Sequence, residues 1–118
     1  MRKEFIENGG KPAEGTLFAG TLDINADAPR LLAFKKRFNA RFNEPADMAA
    51  ARGYDAAIAL KTGLKKTSLL TGPSIKQAIL ETGIIYALNG DFPMDKYGDA
   101  KRPFLIFKVE RGEFKPQD

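Results

Sequence analysis

The sequence predicts an α/β chain: one strand, three helices, then two or three further strands. Three observations predict it. Thr16–Leu22 is a short apolar run bounded by Gly15 and Asp23, as a strand would be. Between Asp27 and Gly83, apolar residues recur at three- and four-residue steps, the period of an amphipathic helix. From Ile84 the steps shorten, and Phe104–Glu110 is the clearest strand in the chain.

The elements follow in order. Residues 1–12 read as a frayed helical turn running into a Gly-rich loop. Gly20, inside the first strand, marks a bend or a close backbone approach. Asp27 is expected to start the first helix, with Pro29 in its first turn, where the missing N–H costs nothing. Leu31, Phe34, Phe38 and Phe42 form its buried stripe, and Arg30, Lys35, Lys36, Arg37 and Arg41 fill the other sides. Asn43-Glu44-Pro45 ends it, because the residue before a proline avoids the helical region.

Pro45 is expected to open a second, Ala-rich helix through about Lys65, with Met48, Ala51, Tyr54, Ile58 and Leu64 as its apolar face. Gly53 and Gly63 each cost about 1 kcal/mol of helix propensity relative to Ala, so a contact should compensate. A loop at Thr67–Gly72 leads to a third helix with Pro73 in its first turn. Ile75, Ala78 and Ile79 face inward, and Gly83 is the C-terminal cap. Ile84–Tyr86 and Asp91–Met94 then flank the turn dipeptide Asn89-Gly90. Arg111-Gly112 turns the last clear strand toward Phe114.

Composition narrows the chemistry. The 118 residues, 43% hydrophobic and 29% charged, suit one globular domain that buries about two-thirds of its unfolded surface. Nineteen Lys+Arg against 15 Asp+Glu leave a net charge of +4, short of a nucleic-acid signature, and no nucleic-acid partner is expected. No run approaches the about 18 apolar residues of a membrane span. No apolar segment follows the basic start, so no signal peptide is read, and the chain as given would stay in the cytoplasm.

Without cysteine or histidine, the usual thiolate ligands and nucleophiles, the usual general base and the serine triad are missing; only Ser68 and Ser74 offer a serine hydroxyl. The chain is read as a non-enzyme that needs no cofactor. Asp91, Asp95 and Asp99 do not fit the spacing of an EF-hand loop and read as a polar turn. The basic helix faces read as solvated, the phenylalanine stripe as core, and Asp55 as a cap or helix-packing residue.

Several ordered patterns resemble the solute-binding receptors of branched-chain-type amino-acid ABC transporters. Ala13-Glu14-Gly15 precedes the first strand. Phe34-Lys35-Lys36-Arg37-Phe38 leads to Phe42-Asn43-Glu44-Pro45. Ala50-Ala51-Arg52-Gly53-Tyr54-Asp55-Ala56 resembles the family's "aa-x-gYDA" helix, and Ile75–Ile79 falls where its next helix lies. Phe92-Pro93-Met94-Asp95-Lys96-Tyr97-Gly98-Asp99 is similar to its "G...FD..GD" hairpin. The set spans residues 13–114.

The resemblance implies a partial type I periplasmic binding-protein fold: strand, three helices and closing β-hairpin, completed by self-association. It makes the chain one fragment, the family's final third. Residues 1–22 would end one lobe and supply a hinge strand, 23–83 would form the helical part of the other lobe, and 84–118 the returning hairpin. The implied function is non-catalytic capture of an amino acid or related small carboxylate for an ABC permease, in a parent protein that is periplasmic or extracellular.

Under this resemblance the groups that grip the solute's carboxylate and ammonium fall outside the chain, before Met1. Ala49 takes a pocket position that is often aromatic, and its small side chain would widen the pocket. Tyr54 and Asp55 would serve helix packing, and Gly90, Asp95, Gly98 and Asp99 the hairpin. Cut from their sheets, the hinge strand and hairpin expose edges, which predicts a homo-oligomer, by exchange of terminal strands between two chains. The alternative reading is a standalone basic interaction module without solute binding.

Overall fold

The computed structural model describes residues 3–117. In chain order the elements are α1 (Lys3–Gly9), a 3-10 turn (Lys11–Ala13), β1 (Leu17–Gly20), α2 (Pro29–Phe42), α3 (Met48–Lys66), α4 (Gly72–Thr82), β2 (Ile84–Ile85), β3 (Phe92–Pro93), β4 (Leu105–Glu110) and β5 (Glu113–Gln117). None of the described helices is long and apolar enough to cross a membrane. The chain divides into two compact units. One joins the N-terminal residues through Asn25 with those from Pro103 onward, and the other is Ala26–Arg102.

The first unit is built on an antiparallel sheet in the order β1-β4-β5. Leu17 pairs with Lys108 and Phe18 with Phe107, while Val109 pairs with Phe114. Strand β4 lies in the middle, so its alternate residues Phe107 and Val109 are the buried ones. Phe18 meets Phe5 and Phe114 edge-on, with ring centroids 4.9 and 5.3 Å away. Arg111 and Gly112 turn β4 into β5 with φ of 56° and 74°. Two consecutive positive φ values are those of a type I′ turn, whose twist matches the strands it joins. Both carboxylate oxygens of Glu14 hold that turn, accepting from the backbone N–H of Arg111 at 2.9 Å and of Gly112 at 2.7 Å.

The second unit holds α2, α3, α4 and the short β2–β3 hairpin. Pro29 is the first residue of α2, as its fixed φ favours. Asp27 does not cap this helix: the cap position is Ala28, and no side chain bonds there. The phenylalanine stripe fades along α2, from Leu31 at 0% and Phe34 at 6% exposure to Phe42 at 53%. The helix ends on Asn43, whose left-handed φ of 54° lets its N–H reach Asn39 O.

Helix α3 starts at Met48, three residues later than Pro45 suggested. Asp47 supplies the reason, since its carboxylate accepts from Ala50 N at 2.7 Å and satisfies an orphan amide of the first turn. Helix α4 is capped by Thr71 at its start and by Gly83, at φ 74°, at its end. Helices α3 and α4 meet at Gly63, where an added Cβ would lie 2.5 Å from Ile79 Cγ1. That close approach compensates the propensity lost at Gly63. At Gly53 no heavy atom lies within 4 Å of such a Cβ, so the expected compensating contact is absent there.

In the hairpin, Ile84 pairs with Pro93 and Ile85 with Phe92. Six residues, not the two of a tight turn, separate the strands, and Tyr86 lies outside the ladder. Ile85, Ala87 and Phe92 form the buried cluster of this unit, covered by Ala59 of α3, Ile79 of α4 and Met94.

Candidate functional site

The most constrained polar group in the Ala26–Arg102 unit is Asp55. It sits on the buried face of α3, one turn beyond Ala51. Asp55 Oδ1 accepts from Leu88 N at 2.9 Å, and Oδ2 accepts from Arg102 Nη2 at 2.9 Å. Both side chains of the ion pair are almost fully buried. The Arg102 guanidinium lies over the Phe92 ring, 3.7 Å from its centroid, a favourable stack for a delocalised cation. Its other terminal nitrogen, Nη1, is a buried donor without an acceptor. Arg52, one turn earlier on α3, is held below the usual arginine range by burial and then by the charge of Arg102. This network ties α3 to the segment that carries the hairpin.

A concavity of about 300 Å³ opens between α2, α3 and residues 86–88. Arg30, Ala33 and Arg37 line it from α2, Tyr54 and Ile58 from α3, and Tyr86, Ala87 and Leu88 complete it. Arg30 is neutralised by Asp91, with Nη2 2.6 Å from Oδ1. Arg37 Nη2 donates to Tyr54 Oη at 3.3 Å, and its guanidinium stands 6.0 Å from the Tyr54 ring centroid. The Tyr54 ring packs on Phe34 at 4.9 Å, so Tyr54 joins α2 to α3. An apolar floor with a guanidinium and a phenol at its rim suits an apolar group carrying a hydrogen-bond acceptor. Arg30 and Arg37 read as solvated in sequence; their seven-residue spacing, two helical turns, is the signal that they share a face.

Ala49 lies exposed in the first turn of α3. It is not among the residues lining this concavity, being roughly 140° around the helix from Tyr54. The acidic residues of the hairpin diverge. Asp91 turns to Arg30, whereas Asp95 folds its own loop: Oδ1 accepts from Tyr97 N at 2.9 Å and from Asp99 N at 3.0 Å. Asp95 N donates to Asp99 O and Gly98 N to Asp95 O, each at 3.0 Å. The amide of Asp99 first, and then, against an opposing effect of desolvation, the amide of Tyr97, the charge of Lys101 and the amide of Gly98 hold the Asp95 carboxyl below its ordinary range. Gly98, at φ 95°, closes this loop, and Gly90, at φ 88°, belongs to the preceding turn. Asp95, Gly98 and Asp99 are thus brought together, while Ala49, Tyr54 and Asp55 occupy three different faces of α3. Among the described residues no three acidic side chains converge as metal ligands.

Three helices and a short hairpin, with a three-stranded sheet formed from both ends of the chain, constitute part of a type I periplasmic binding-protein fold. The chain belongs to the periplasmic binding protein family, whose model matches residues 3–113. Among curated proteins none matches. Solved structures do. A leucine binding protein from Thermotoga maritima superposes with a TM-score of 0.83 at 24% identity, over 98% of this chain and 33% of its own. An ABC transporter substrate-binding protein from Desulfitobacterium hafniense, in complex with Leu, gives 0.77 at 28% identity, over 89% of this chain and 32% of its own. A solute binding protein of an ABC transporter from R. palustris, in complex with benzoate, gives 0.69 at 21% identity, over 95% and 31%. The chain therefore spans about a third of the length of these proteins.

Proposed function

We propose that this chain is the C-terminal portion of a non-catalytic solute-binding component of an ABC transporter, one that captures an amino acid or related small carboxylate and passes it to a membrane permease. The observation that carries the reading is the family match over residues 3–113, together with superposition on relatives solved with leucine and with benzoate. In this reading residues 1–22 end one lobe and supply a hinge strand, 23–83 form the helical part of the other lobe, and 84–118 are the returning hairpin. Ala49 is a pocket position, its methyl group favouring a wider site than leucine requires. Tyr54 and Asp55 hold the helices of their lobe, and Gly90, Asp95, Gly98 and Asp99 shape the hairpin.

The test is ligand titration, by calorimetry and thermal shift, of the protein encoded by the whole open reading frame that contains this sequence. Saturable binding of one amino acid or aromatic carboxylate, without turnover, is the expected result. A folded protein that binds none of a broad panel of amino acids and small carboxylates overturns the reading. Self-association of the 118-residue chain is a second part of the proposal, supported by its two small sheets with open edges. Exchange of terminal strands is one route to it.

A further inference from the structure

Two of the five asparagines precede glycine, in Asn8-Gly9 and Asn89-Gly90. Asparagine is chemically labile, most of all before glycine, where no Cβ hinders attack by the following amide nitrogen on the side-chain carbonyl. The fold holds the two glycine nitrogens differently. Gly9 closes α1, and Gly10 N donates to Ile6 O at 2.9 Å, so the helical bonding pattern runs through Gly9 and engages its N–H. Ala13 also crowds it: a Cβ added at Gly9 would lie 2.9 Å from Ala13 Cβ. Asn89-Gly90 instead lies in the connection between β2 and β3, with Gly90 exposed at φ 88°. Gly90 N donates no hydrogen bond among the described residues. The residues on either side are anchored, Leu88 N on Asp55 at 2.9 Å and Asp91 on Arg30 at 2.6 Å.

We propose that Asn89 is a self-modification site, converted by its own neighbour to aspartate and isoaspartate. Hydroxide takes the Gly90 N–H proton, and the nitrogen bonds to Asn89 Cγ. The Cγ–Nδ2 bond breaks, and Nδ2 leaves as ammonia with a proton from water, which restores the hydroxide. The product of this step is a five-membered succinimide. Water then opens the ring. Addition at Cγ breaks the new bond and leaves aspartate; addition at the Asn89 main-chain carbonyl leaves Gly90 bonded to Cγ as isoaspartate. Nothing is oxidised or reduced. Both reacting atoms belong to adjacent residues, so the step needs no ligand and no partner, and it stands apart from solute capture. Either product puts a new carboxylate two residues before Asp91, which neutralises Arg30. The isoaspartyl product also lengthens the main chain between β2 and β3 by one carbon.

The test is peptide mapping by mass spectrometry of the 118-residue chain held at mildly alkaline pH, folded and in urea, with Asn8 as the internal standard. Having to release one helical hydrogen bond slows conversion at Asn8 by about two- to tenfold. Asn89 is therefore expected to convert faster than Asn8 by that factor in the folded chain, and at a similar rate in urea. Both aspartate and isoaspartate are expected at position 89. Conversion at Asn89 no faster than at Asn8 in the folded chain overturns the proposal. So does a ratio that urea leaves unchanged, which would assign the preference to neighbouring sequence and not to the fold. A product at position 89 that is wholly aspartate overturns the cyclic route.

Discussion

Asp55 and Arg102, forty-seven residues apart, meet in a buried ion pair at 2.9 Å. The pair has three supports: the carboxylate also accepts from Leu88 N, the guanidinium stacks on Phe92, and α3 places Asp55 on its inner face. Removing one member leaves the other charged and dry. Asp55→Ala and Arg102→Ala are each expected to cost about 3–5 kcal/mol, read from the urea midpoint of unfolding. The apolar double replacement Asp55→Leu/Arg102→Met removes both charges together and is expected to recover most of that loss. It still strands Leu88 N, a deficit of about 1–3 kcal/mol. Single and double variants of equal stability would show that the pair is not coupled.

The two glycines of α3 are expected to respond in opposite directions. Gly53→Ala adds a methyl group into open space and is expected to stabilise by about 0.5–1 kcal/mol through helix propensity. Gly63→Ala gains the same propensity but drives a methyl group to 2.5 Å from Ile79 Cγ1 and 3.2 Å from the Ile75 carbonyl oxygen. Overpacking of this kind costs about 1–3 kcal/mol, so the net effect is destabilising. Thermal unfolding of the two variants side by side decides it; a stabilised Gly63→Ala would mean that α3 and α4 are free to separate.

The signals that act within a few residues were legible in the sequence. Pro29 at a helix start, Gly83 at a helix end and the Arg111-Gly112 turn each set local φ angles, and each stands where the local rule puts it. The start of α3 lies beyond Pro45, itself a favoured opener, because Asp47, two residues on, offers a capping oxygen. The site was harder to read. A carboxylate in an Ala-rich helix looks like a cap or packing residue until Arg102 and Leu88 arrive from the far end of the unit. Nothing local to Asp55 announces partners that distant. The exposure of Phe42 has the same origin: periodicity defines a stripe along α2, but only packing decides how far along it the neighbouring elements reach.

Glu14 acts at a distance of ninety-seven residues on the β4–β5 turn, and its two oxygens serve two different amides. Glu14→Gln keeps one acceptor, and Glu14→Ala keeps none. A graded loss is expected, the alanine variant falling by about 1–2 kcal/mol because charge-assisted bonds at an exposed site give way to water. Hydrogen exchange at Arg111 and Gly112 should accelerate in the same order. Unchanged exchange in Glu14→Ala would show that the type I′ turn holds without the carboxylate.

Asp95 makes the hairpin loop sensitive to acid. Its carboxyl is held below the ordinary value of 3.8, chiefly by the amide of Asp99 and then, against an opposing effect of desolvation, by that of Tyr97. A carboxylate whose folded pKa is depressed contributes stability that is fully present above its unfolded value of about 4 and is lost as pH falls through the lower, folded value. The loop is therefore expected to hold its form through neutral and mildly acidic pH. As pH falls through the lower, folded value, the bonds from Tyr97 N and Asp99 N weaken. In an NMR titration the Asp95 carboxyl and the amides of Tyr97 and Asp99 should move together, with one midpoint below that of a free aspartate. Asp95→Asn should abolish that shared transition while leaving the amides of β2 and β3 in place. A midpoint at or above the free value would mean that the three amides do not hold the carboxylate in solution.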